Sequence, residues 1–135
     1  MFGFPSARAL GAALVALSLS AAVSSALAGA SDYQFQLVQP ETQASNNAVV
    51  AVRLVDKRFG NPVPDAVIFA SRIDMAPAGM AGMAAPIEAV PSTEPGIYRF
   101  KARLAMAGGW RLSLAAKVQG EAETIQSQLT LTATP

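Results

Sequence analysis

Four thioethers and one indole are the residues of this chain most suited to chemistry. Met75, Met80 and Met83 fall in the stretch DMAPAGMAGMAAP, Asp74–Pro86, and Met106 and Trp110 fall in LAMAGGW, Leu104–Trp110. Thioether sulfur is a soft, neutral donor that selects Cu(I), or the similar ion Ag(I), over hard cations. It has no proton to lose, so binding would not itself be pH-gated, unlike a thiolate or imidazole site. The chain has no cysteine and no histidine. That removes a thiol nucleophile, an imidazole base, a Ser-His-Asp triad and the usual zinc ligands. Asp74, Glu88 and Glu94 are available carboxylates, but nothing in the sequence places two of them on one site. The expectation is therefore a protein that is not an enzyme.

Met80 and Met83 are three residues apart, so their Cα atoms lie within about 10 Å of each other even when the chain is fully extended. Their neighbours Ala78, Gly79, Ala81, Gly82, Ala84 and Ala85 offer almost no bulk to pack against, and Pro77 and Pro86 restrict the ends of the segment. The segment reads as a loop able to wrap a soft cation. Met80 and Met83 are the expected ligands, Met75 or Met106 completes the set, and the Trp110 face shields it. Asp74 would supply compensating charge. Two other readings stay open: the methionines fold back to cap the core, or they form an adaptable surface for a protein partner.

The elements that position these residues are strands. Tyr33–Leu37 alternates apolar and polar, and Asn47–Val55 places Val50, Val52 and Leu54 on one face. Ala66–Ile73 follows, with Val67, Phe69 and Ile73 expected on one side, and then a short strand, Ile87–Val90. IYRFKARL, Ile97–Leu104, alternates Tyr98, Phe100, Ala102 and Leu104 with Arg99, Lys101 and Arg103, as expected of a half-solvated strand. Trp110–Val118 and Glu123–Thr132 complete the set. Pro40–Asn47, Asp56–Asp65 and Pro91–Gly96 read as connections rich in turn residues. Seven short strands without a helical period predict an all-β, antiparallel, immunoglobulin-like sandwich. If successive strands alternate in direction, the connection carrying Met75, Met80 and Met83 and the one carrying Met106 leave the sandwich at the same end.

The chain is 135 residues long, and its first thirty are of another kind. Arg8 is the only charge before Asp32, Ala9–Ala28 is rich in Ala, Leu, Val and Ser, and the run ends Ala26-Leu27-Ala28. This small-x-small ending reads as a secretory signal peptide over residues 1–28, cut after Ala28, with Ala30 as a second site. It leaves residues 29–135 as one domain, expected in the periplasm or otherwise exported. The alternative is an uncleaved helix that anchors the chain to the membrane. Without Arg8, nine basic residues balance nine acidic ones. A near-neutral domain argues against nucleic acid, which needs a basic patch. Neither does the composition point to a small-molecule substrate.

Several of these residues also carry a family resemblance. Gly60, Pro62 and Val63, then Met75 and Met80, then Gly96 and Tyr98, then Met106, Gly108 and Trp110 follow one another in an order that resembles the YtkA-like family, related to FixH-like proteins. The likeness spans roughly Ala48–Leu131. It implies a small β-sandwich outside the cytoplasmic membrane and no catalytic residues. It also implies company with heavy-metal efflux or copper-handling components, or with the assembly of haem–copper oxidases, and hence a membrane-associated protein partner. The histidines that many exported copper sites use are missing, which leaves Cu(I) or Ag(I) rather than Cu(II) as the ion.

Overall fold

The computed structural model describes residues 30–135, and the signal peptide expected over 1–28, with its cleavage point, lies outside them. A short 3-10 turn at Ala30–Asp32 leads into ten strands: β1 Tyr33–Leu37, β2 Glu41–Gln43, β3 Ser45–Asp56, β4 Asn61–Pro62, β5 Val67–Met75, β6 Met80–Ala85, β7 Ile87–Val90, β8 Ile97–Leu104, β9 Gly108–Lys117 and β10 Ile125–Thr134. A second 3-10 turn, Ala76–Ala78, joins β5 to β6. No helix among the described residues is long and apolar enough to cross a membrane.

The strands form two sheets. One runs β1-β3-β8-β7, with β4 paired to β3; the other runs β2-β10-β9-β5-β6. With the seven expected strands, β1, β3, β5, β7, β8, β9 and β10, lettered A to G in chain order, the sheets run A-B-E-D and G-F-C, the arrangement of immunoglobulin constant-type domains. The sandwich is therefore all-β and immunoglobulin-like, with ten strands instead of seven. The additional strands lack the apolar alternation that marks a half-buried strand in sequence. β2 is polar, β4 is a two-residue bridge, and β6 is built from alanine, glycine and methionine.

Alternation explains the core. Phe100, Ala102 and Leu104 of β8 are buried, as are Val50, Val52 and Leu54 of β3 and Trp110, Leu112, Leu114 and Ala116 of β9. Two of the intervening basic residues of β8 face outward into ion pairs, Arg99 with Glu94 and Lys101 with Glu88 at 3.9 Å.

β5 departs from the expected face. Its register on β9 slips between Ile68 and Ala70: Ile68 lies opposite Ala116, whereas Ser71 and Ile73 lie opposite Leu114 and Leu112. Phe69 is the extra residue of a β-bulge, which reverses the phase of the strand. Ile73 points into the core, but Val67 and Phe69 are 63% and 57% exposed.

The connection before β5 is pinned by Tyr98. Its hydroxyl donates to the Val63 carbonyl oxygen at 2.6 Å and accepts from the Ala66 amide at 3.0 Å. Gly96, at φ 80°, lets this corner close, since a Cβ there would lie 2.5 Å from Pro62 Cβ.

Candidate functional site at the methionine pole

The two methionine-bearing connections meet at one end of the sandwich. The 3-10 turn after β5 packs on the start of β9, so closely that a Cβ on Gly109 would come within 2.9 Å of Pro77 Cβ. A Cβ on Gly108 would lie 3.2 Å from the Met75 methyl, Cε. Glycine at these two positions is what lets the connection bearing Met106 lie against the one bearing Met75.

The stretch expected as an open loop is instead a hairpin. β6 pairs antiparallel with β5 through Ile73 and Ala85, Asp74 and Ala84, then Met75 and Met80. Between the last two steps Ala81, Gly82 and Met83 have no partner on β5, so they bow out of the ladder. The small residues expected to wrap a ligand instead form this wide irregularity.

The five expected site residues consequently fall into different settings. Met75 is buried, 1% exposed, and Met80 is half-buried against the core directly opposite it. Met83 and Met106 are each 44% exposed. Trp110 belongs to the core, and its indole N–H donates to the Met106 carbonyl oxygen at 3.0 Å, fixing the turn that carries Met106. The hairpin thus sets Met80 opposite Met75, and it places Met83 on the bowed segment.

The sequence alone does not show that Asp74 is the centre of an ionic cluster with Arg72 and Arg111. Asp74 is fully buried. One carboxylate oxygen accepts from the Ala76 amide at 2.9 Å; the other accepts from Arg72 Nε at 3.1 Å and Arg111 Nη2 at 3.0 Å. Burial pushes the Asp74 carboxyl up, but the Ala76 amide and the two guanidiniums outweigh it and hold the group below its ordinary value. Arg72 Nη2 also donates to the Ala81 carbonyl oxygen at 3.0 Å, tying the bowed part of β6 to β5. Arg111 Nε is buried without a partner. Asp74 is thus already matched by two positive charges, and the cluster carries a net positive charge beside the thioethers. The spacing Asp74-Met75-Ala76 before Pro77 is a local signal for a carboxylate capping a turn, whereas the link to Arg111 crosses from β5 to β9 and leaves no local trace.

Comparison with known proteins gives this geometry a lineage. The YtkA-like family model matches residues 27–115, which covers β1 to most of β9. The chain belongs to the YtkA-like family. Among solved structures, this YtkA-like domain is similar to a DUF4426 family protein from Pseudomonas aeruginosa PAO1, at 16% identity and a TM-score of 0.53, over 76% of this chain and 89% of that one. It is also similar to the Lin-41 filamin domain, at 16% identity and a TM-score of 0.43, over 70% of this chain and 89% of that one. The ZirS C-terminal domain matches at 10% identity and a TM-score of 0.44, over 98% of this chain and 86% of that one. No curated protein matches the chain.

Proposed function

We propose that this YtkA-like protein is an exported, non-catalytic accessory that carries Cu(I) or Ag(I) on the thioethers of its methionine pole. It serves a heavy-metal efflux system or, as the FixH-like side of the resemblance suggests, the assembly of a copper oxidase. The observation that carries the reading is the opposed pair Met75 and Met80 on β5 and β6, at the pole where Met106 also lies. Residues directly opposed on antiparallel strands have Cβ atoms about 5 Å apart, a separation from which two thioethers reach a single ion. Met83 and Met106, half-exposed, are the donors a metal meets first.

Native mass spectrometry with Ag(I) under reducing conditions tests this. The expected result is one ion per chain, lost when Met75→Leu is combined with Met80→Leu and weakened when Met83→Leu is combined with Met106→Leu. Leucine keeps volume and apolarity, so the fold survives. Unchanged stoichiometry in the Met75/Met80 double variant would remove the ligand assignment.

A second reading draws on the 44% exposure of Met83 and Met106. Adaptable apolar side chains at a tip suit docking on a membrane-protein partner. Under it the leucine variants retain full activity in the cell, whereas Met83→Glu with Met106→Glu abolishes it. The same substitutions thus separate ligation from packing.

A further inference from the structure

β9 flanks β5 from Val67 to Asp74, but β6 pairs with it only from Ile73 onward. Among the described residues, Val67–Arg72 therefore has a strand on one side only. An open edge presents alternating N–H and C=O groups, which another extended strand complements. Protein edges are commonly blunted by lysine, proline or a β-bulge; the run Ala66–Ser71 contains neither lysine nor proline, its bulge at Phe69 is the one such device it carries, and its Val67 and Phe69 are largely exposed. Beside Ile68 of this edge is a cavity of about 390 Å³, lined also by Val90, Tyr98 and Phe100 of β7 and β8 and by the turn between those strands, which brings Glu94 to it. Apolar side chains arriving along the edge have a place to go.

Charge selects the occupant. The uncharged run is bracketed by Asp65, which is exposed, and Arg72, whose side chain is 53% exposed while it bonds Asp74. A strand added antiparallel matches these ends best when it brings a base opposite Asp65 and an acid opposite Arg72, which is already held by Asp74 and the Ala81 carbonyl. The segment DAVIFASR, Asp65–Arg72, meets that demand when turned end for end. A twofold axis between Ile68 and Phe69 sets each Asp65 opposite the other copy's Arg72 and each Val67 opposite Ala70.

The bulge brings the pairs on either side of the axis into phase, whereas the pair at the axis itself sets inward-facing Ile68 opposite exposed Phe69. Opposed residues on antiparallel strands share a face, and Val67 and Ala70, three apart, would lie on opposite faces of a regular strand. With Phe69 inserted, Val67 pairs beside Lys117 and Ala70 beside Ala115, both on the outer face.

We propose that a second copy of this chain docks on the open edge of β5, continuing the sheet across a twofold axis. The contact is isologous and closed, and it is independent of the methionine reading.

Sedimentation velocity of the full chain, as the cell produces it, should show a monomer–dimer equilibrium. Combining Val67→Lys with Phe69→Lys should leave monomers at every concentration, and Asp65→Lys, which turns both end pairs repulsive, should raise Kd about tenfold. Hydrogen exchange on the unsubstituted chain gives a reading free of any folding defect: the amides of Val67–Arg72 should slow as concentration rises. A chain that stays monomeric at its highest soluble concentration overturns the proposal. So does a lysine variant that dimerises as tightly as the original, or concentration-dependent protection at the edge of β1 or β7 instead of β5.

Discussion

Asp74 is the residue whose setting differs most from its sequence context. A carboxylate with no exposure persists in a strand because three donors saturate it, one from the turn it caps and two from guanidiniums on β5 and β9. Its acidity is linked to stability. The folded chain holds the carboxyl below its ordinary value of 3.8, so the native state binds fewer protons than the unfolded state just below that pH. The stability Asp74 contributes is whole above 3.8 and is lost as the pH falls through the lower value it has in the fold. Asp74→Asn should therefore lower the urea midpoint at neutral pH, with the gap to the native chain closing as the pH drops below 3.8. Denaturation curves across that range check it; a gap that stays constant would mean that the ion cluster does not govern acid stability. At this scale the sequence was legible in part. The small neighbours of Met80 and Met83 were visible, but whether they wrapped a ligand or bowed out of a ladder depended on pairing partners far along the chain.

At the scale of elements, the strands with clean alternation were legible almost to the residue. IYRFKARL is β8 as expected from its period, because one face meets the core and the other meets water. The sequence marks β5 as a strand but points to the wrong face, since a single inserted residue, Phe69, reverses alternation and no residue type announces a bulge of this kind. The short strands β2 and β4 were hidden because their pairing is set by neighbours and not by their own side chains. How tightly the corner before β5 is held follows from Tyr98, whose hydroxyl serves one donor and one acceptor of that connection. Tyr98→Phe keeps the ring in place and leaves the Ala66 amide and the Val63 carbonyl without this partner. It should cost about 1–3 kcal/mol, with faster hydrogen exchange concentrated at Ala66. Uniform exchange along the chain would show that the hydroxyl does not brace this corner.

For the whole molecule, the absence of cysteine means that stability rests on the interleaved inner faces of two sheets. Leu112 lies at the centre of β9 with no exposure, opposite Ile73 on one side and Leu129 on the other. Leu112→Ala leaves a cavity there and should cost about 3 kcal/mol, lowering the melting temperature by more than about 10 °C in a domain of this size. Calorimetry decides this, and a smaller loss would mean that the two sheets close over the gap. The two-layer architecture and the meeting of the methionine connections at one pole both followed from strand order. The depth of each methionine did not, because it depends on how the hairpin pairs.

β2 runs parallel to β10, with Glu41 beside Thr132 and Gln43 beside Thr134. Tension that draws the segment before Glu41 away from the segment after Thr134 would act along these two neighbours, loading their hydrogen bonds in shear, all together, instead of unzipping them singly.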